Sequence, residues 1–149
     1  LLEEAFIIRG LPKWTGSALR RRASSPKWLP LNTALITSIS GKKFKEWREK
    51  PDMWGRLVET SVGIHLFNHS LDKAYNVYYW RDRDREVDYV IRQGNSLVGI
   101  EVKTGRKRRP SGLGTFKKRY KPQRIFIVGS GGLPLIEFLE THPDKLFQA

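Results

Sequence analysis

Twenty residues near the middle of the chain, Glu86 to Gly105, read EVDYVIRQGNSLVGIEVKTG, and they constrain the fold more than any other stretch. Two runs dense in β-branched residues are separated by Gly94 and Asn95, a pair suited to a tight two-residue turn, so the stretch predicts a β-hairpin. With those two residues as the loop, Gln93 faces Ser96, Ile91 faces Val98 and Tyr89 faces Ile100, and the same register sets Asp88 opposite Glu101. Side chains alternate along a strand, so Val87, Tyr89, Ile91, Val98, Ile100 and Val102 make one apolar face that predicts a core. The other face carries Asp88, Glu101 and Lys103. Glu101 and Lys103 share that face in any register, because the strand period is two.

The elements around the hairpin follow from their own patterns. Pro51 and Asp52 mark a helix start, and Trp54, Leu57, Val58, Val62 and Leu66 recur at helical spacing, predicting a helix over Asp52 to Asn68 with one buried stripe and Glu59 beside it. Ala74 to Trp80 predicts a strand, making a three-strand antiparallel meander with Glu86 to Gln93 and Ser96 to Lys103. Then come the basic loop TGRKRRPSGLG, a short helix TFKKRYK, the apolar strand Arg124 to Gly129, a glycine turn and the helix LPLIEFLE. The predicted fold is α/β, a mixed central sheet flanked by helices in the order α-β-β-β-α-β-α. Because RIFIV is apolar on both faces, Arg124 to Gly129 is expected as an inner strand.

Residues 1–50 read as an adapter: a helical remnant, an extended piece near Ile7 to Trp14 and the turn-rich basic loop SALRRRASSPKW. Residues 51–149 read as the folded domain. The opening LLEEAFIIRGLPKW has no methionine and a helix-like register that begins mid-pattern, which suggests that a part upstream has been removed. No cysteine is present, excluding disulfides, thiolate metal sites and a cysteine nucleophile and suiting a cytoplasmic setting. No apolar run reaches the roughly 18 to 20 residues that span a bilayer.

Charge narrows the class of partner. Lys and Arg total 28 against 15 Asp and Glu, a formal net charge of +13. The excess is uneven, with Arg106, Lys107, Arg108, Arg109, Lys117, Lys118, Arg119 and Lys121 crowding a region without acidic residues. A cluster of this kind points to a polyanion, nucleic acid ahead of anionic lipid or a merely solvated face.

Two carboxylates directly opposed on a sheet are destabilising unless they share a proton or recruit a cation, and oxygen donors of this kind suit Mg2+ or Mn2+. The bland reading is an exposed salt-bridge ladder, since the same register sets Lys103 opposite Glu86. His65, near the helical stripe, reads as a core or boundary residue. Trp54 and Trp80 read as core, whereas Trp14, Trp28 and Trp47 lie in basic surroundings where bases could stack.

EVDYVI followed by GIEVKTG, preceded by a helix carrying a glutamate in GRLVET, resembles the PD-(D/E)XK nuclease superfamily, the restriction-endonuclease-like fold. The run KPDMWGRLVETSVGIHLF, YYWRDRDREVDYVI, LVGIEVKTG and FIVGSGGLPLIEFL more closely resembles the C-terminal domain of predicted prokaryotic AAA-type ATPases. The resemblance implies that Asp88, Glu101 and the backbone carbonyl of Val102 ligate Mg2+ or Mn2+ and that Glu59 completes the acidic cluster. Lys103 would orient water or steady transition-state charge. Gly55 and Gly63, four residues either side of Glu59, would let the helix approach the sheet.

Val87 stands where the superfamily's name has proline, and no Walker A loop is present, so the chain is not itself the ATPase. The expected function is a metal-dependent DNA nuclease domain of a larger AAA-type ATPase. The alternatives are a silent nucleic-acid-binding or docking module of the same fold, and an interaction domain for the upstream ATPase part. The expected partner is nucleic acid, with DNA put first although the sequence does not decide between DNA and RNA, and self-association stays open.

Overall fold

The computed structural model describes residues 1–3, 5–17, 24–71, 75–105 and 111–148. Among them the elements are β1 (Ile8–Leu11), β2 (Lys27–Pro30), α1 (Thr33–Ser40), α2 (Phe44–Glu49), α3 (Pro51–Ser70), β3 (Asn76–Asp82), β4 (Arg85–Gln93), β5 (Ser96–Lys103), α4 (Leu113–Tyr120), β6 (Arg124–Gly129), α5 (Leu135–Glu140) and a 3-10 turn at Pro143–Phe147. No helix among the described residues is long and apolar enough to cross a membrane.

The fold is a four-strand mixed sheet flanked by helices, in the order β3-β4-β5-β6. The first three strands are an antiparallel meander and β6 runs parallel to β5. The hairpin register is the expected one, with Gln93 opposite Ser96, Ile91 opposite Val98 and Tyr89 opposite Ile100. Gly94 adopts φ +57°, the left-handed backbone that a two-residue hairpin turn can demand at its first position.

Both faces of the sheet are covered. On one, Val62 and Leu66 of α3 pack against Val77, Tyr89, Ile91, Val98 and Ile100, joined by Phe138, Leu146 and Phe147 from the C-terminal segment. On the other, Leu113 and Phe116 of α4 pack against Trp80, Val87, Val90 and Leu97. Gly99 permits this, because a Cβ there would lie 3.2 Å from the Phe116 ring.

The structure departs from the sequence expectation in several places. Val87 is expected beside Tyr89 and Ile91, but it belongs to the opposite cluster. A register shift between Tyr78 and Trp80 in the β3–β4 ladder is the cause, since one extra residue in β4 moves everything before it to the other face. β6 is an edge strand, not an inner one. Phe126 and Val128 join one core cluster and Ile127 the other, while Ile125 stays exposed, and the free edge is partly satisfied from within the chain. Leu133 N–H donates to Ile127 O at 2.8 Å and Gly129 N–H to Leu133 O at 2.8 Å.

The basic loop expected to run through Pro26 and Trp28 gives way at Lys27 to β2, which pairs antiparallel with β1. Leu11 and Leu29 from this ladder enter the same core cluster as Val62 and Ile100. The opening residues described, 1–3 and 5–7, form turns rather than a helix. Trp14 and Trp47 are buried and unavailable for stacking, and only Trp28 of those three is exposed. Trp80 is buried as expected, while Trp54 is half-buried and makes an edge contact with Phe44. His65 is a boundary residue, its Nε2 3.0 Å from Thr141 O.

Candidate functional site

α3 delivers Glu59. The helix can approach because Gly63, one turn later, has no side chain: a Cβ there would run into the Tyr89 hydroxyl and lie 2.8 Å from Leu29 Cδ1. Tyr89 then reaches back and donates its hydroxyl hydrogen to the backbone carbonyl of Glu59 at 2.8 Å. A Cβ at Gly55 would meet Thr104 Oγ1 at 3.1 Å, so both glycines flanking Glu59 serve a close helix–sheet contact.

β4 delivers Glu86 and Asp88. Carboxylate oxygens of Glu59, Glu86 and Asp88 all lie within 4.8 Å of one another, contributed by a helix and by the irregular stretch of one strand. The ladder with β5 runs as far as Tyr89 and Ile100. Just beyond it, Asp88 Oδ2 accepts the Val102 backbone N–H at 2.7 Å. Asp88 therefore touches the residue between Glu101 and Lys103.

Three carboxylates this close cannot all be charged without a cation. Burial, reinforced by the negative charge of Glu59, raises the Asp88 pKa from 3.8 to about 7, against the opposing pull of the Val102 N–H and of Lys27. Lys27 itself, from β2, places Nζ 2.7 Å from Glu59 Oε1 and 2.8 Å from Glu86 Oε1, above the Tyr89 ring with 5.7 Å to its centroid. Burial works against that ammonium, yet the two carboxylates outweigh it and its pKa lies above the ordinary lysine value.

Glu101 and Lys103 form a second group. Leu97 and the open position at Gly99 face α4, so the alternation of β5 turns Glu101 and Lys103 the same way. Glu101 is buried at 8% exposure. Its Oε1 is 2.9 Å from Lys103 Nζ, and its Oε2 accepts the Ser111 hydroxyl hydrogen. The expected side-by-side pair of Asp88 and Glu101 is thus not a register pair: Asp88 gathers with Glu59 and Glu86, and Glu101 pairs with Lys103. The expected contact of Lys103 with Glu86 is replaced in the same way, because the β4 irregularity turns Glu86 toward Lys27.

The basic residues divide into two sets. Lys117, Lys118 and Arg119 lie in the last turn of α4 and Lys121 is its C-cap, where positive charge also complements the helix carbonyl end. All four are exposed, and Arg119 is partly neutralised by Asp82 at 3.2 Å. Arg85, Ser111, Gly114, Thr115, Lys118 and Arg119 line an open groove, so the serine that holds Glu101 also lines the basic surface. Arg106, Lys107, Arg108 and Arg109 lie outside the described residues.

Two residues of the site do not stand out in the sequence. There, Glu86 reads as one rung of a solvated ladder and Lys27 as part of an adapter loop. The only sequence signal for Lys27 is the apolar-flanked run PKWLP, too short to declare a strand.

The family model described as Domain of unknown function (DUF4143) matches residues 54–134, spanning α3 through β6. No curated protein and no solved structure matches the chain.

Proposed function

Because the chain belongs to the DUF4143 family, a domain found in AAA-ATPase-associated proteins, we propose that it is the metal-dependent nuclease domain of such an ATPase, with a restriction-endonuclease-like core. The observation that carries the reading is the convergence of Glu59, Glu86 and Asp88 within 4.8 Å, with Asp88 bonded to the backbone between Glu101 and Lys103. A meander followed by a parallel strand, with a carboxylate-bearing helix on one face, supports the fold assignment.

The donor set fits a hard divalent ion: oxygen ligands only, excess negative charge, and one carboxyl, Asp88, whose pKa is raised by burial and by the neighbouring Glu59. Glu59, Glu86 and Asp88 would hold Mg2+ or Mn2+, with the Val102 carbonyl and Glu101 adjoining. When bound, such an ion polarises a phosphoryl oxygen and lowers the pKa of a coordinated water.

The chain's own groups account for the rest. Lys103, held by Glu101 beside a half-buried strand end, is a preorganised cation for the charge that develops when a phosphodiester is attacked. Ser111 fixes the other Glu101 oxygen and lines the groove through which Lys118, Arg119 and Arg85 would bind the phosphate backbone of DNA. The upstream ATPase part of the parent chain and a cytoplasmic setting complete the proposal.

One observation favours the silent module as a second reading: Lys27 already satisfies two of the three carboxylates. Incubating the protein with labelled single-stranded, duplex and branched DNA in Mg2+, Mn2+ or chelator separates the two. The nuclease reading expects metal-dependent cleavage that chelator abolishes. Salt-sensitive DNA binding with no cleavage and no metal affinity would leave only the silent module.

A further inference from the structure

Lys27 lies outside the segment that the family model matches, yet it is built into the carboxylate site. Lys27 and Leu29 are two apart on β2 and so share a face. Leu29 is 3% exposed, packed in the main core cluster, and occupies the space above Gly63. The neighbouring backbone is tied down as well, with the Tyr79 hydroxyl donating to Ser25 O at 2.7 Å. A strand fixed in the core thus holds the ammonium 2.7 Å from Glu59 and 2.8 Å from Glu86, a geometry unlike that of a surface lysine sampling many rotamers.

Charge decides what this arrangement does. Fully ionised, the trio carries three negative charges, and one ammonium leaves two, which a single divalent ion neutralises. Asp88 is the member that Lys27 does not bridge. We propose that Lys27 is a positioning residue of the site, supplying a permanent cation at the Glu59 and Glu86 end so that the trio takes one divalent ion, at the Asp88 end, rather than two. This rests on the metal-binding reading above. It makes β2, which lies within the region read as an adapter, part of the site.

The test is to count ions, independently of cleavage. Mn2+ would be titrated into the whole chain and into Lys27→Met and Lys27→Arg, with bound ion counted by electron paramagnetic resonance and affinity measured by calorimetry. The wild type should saturate at one Mn2+. Lys27→Met should take a second ion or bind the first at least tenfold more tightly, whereas Lys27→Arg should stay with the wild type. Two ions in the wild type, or superimposable titrations for wild type and Lys27→Met, would overturn the inference and leave the metal reading intact. No Mn2+ bound by any of the three would sink both. Should Lys27→Met fail to fold, the wild-type stoichiometry alone decides, and Lys27→Gln supplies the comparison.

Discussion

Replacing Asp88 with asparagine should make the protein more stable at alkaline pH, although it removes a candidate ligand. In the unfolded chain this carboxyl loses its proton near pH 3.8, whereas in the fold it keeps it until about pH 7. Between those values the native state binds more protons than the unfolded state, so stability declines as pH rises. The contribution is fully present below about pH 4 and is lost as pH passes through about 7. At about 1.4 kcal/mol per pKa unit the loss reaches at most about 4 kcal/mol, less whatever solvent at this half-buried site screens.

The amide of Asp88→Asn would keep an oxygen to accept the Val102 N–H and would never ionise, so the variant should lose this part of the pH dependence. Urea unfolding at pH 4 and pH 8 in chelator gives the comparison: the variant should match the wild type within about 1 kcal/mol at pH 4 and exceed it by about 1 kcal/mol or more, up to about 4, at pH 8. Saturating Mg2+ at a hundredfold its Kd should add about 2.7 kcal/mol to the wild type and far less to the variant. The reasoning is refuted if Asp88→Asn is destabilised equally at both pH values.

Three further outcomes follow from the same geometry. Lys103→Ala should lower metal-dependent cleavage about a hundredfold or more while changing DNA affinity only modestly, since it removes one preorganised partner of the transition state; single-turnover rates beside filter binding will show whether the two separate. Reversing Lys117, Lys118 and Lys121 to glutamate should flatten the plot of log K against log salt by about 0.9 for each phosphate that the protein no longer neutralises; an unchanged slope would mark these residues as solvent-facing only. Gly63→Ala should cost about 1–3 kcal/mol in chemical denaturation, because its methyl meets the Tyr89 hydroxyl and Leu29, whereas Gly114→Ala, where a Cβ meets nothing within 4 Å, should cost nothing measurable.

The hairpin register was legible because a two-residue turn and a period of two leave little freedom, and the pairs Gln93–Ser96 to Tyr89–Ile100 appear as read. Legibility stopped at Asp88. A bulge has no compositional signature of its own in EVDYVI, and it depends on how Tyr78 and Trp80 sit on the neighbouring strand, a non-local fact. Its consequence was large, since it sent Val87 to one face and turned Glu86 toward Lys27. The edge position of β6 was illegible for another reason: hydrophobicity reports that faces are covered, and says nothing about whether an edge is paired. Lys27 escaped because a four-residue strand that follows one proline and ends on another gives too few positions to establish alternation.

The way the sheet ends restricts how this domain can meet a partner. At one margin, β6 donates to and accepts from its own following turn through Gly129, Ile127 and Leu133. At the other, the Tyr79 backbone of β3 is taken by Pro12 and Trp14, with Tyr79 N–H donating to Pro12 O at 3.2 Å and Trp14 N–H to Tyr79 O at 2.7 Å. Both rims are thus occupied by the chain's own backbone at these points, so an incoming peptide finds no free rung there on which to add a strand. A polyanion, if one binds as proposed, would then be met by side chains at these points, and on a surface this basic that would make the association responsive to ionic strength.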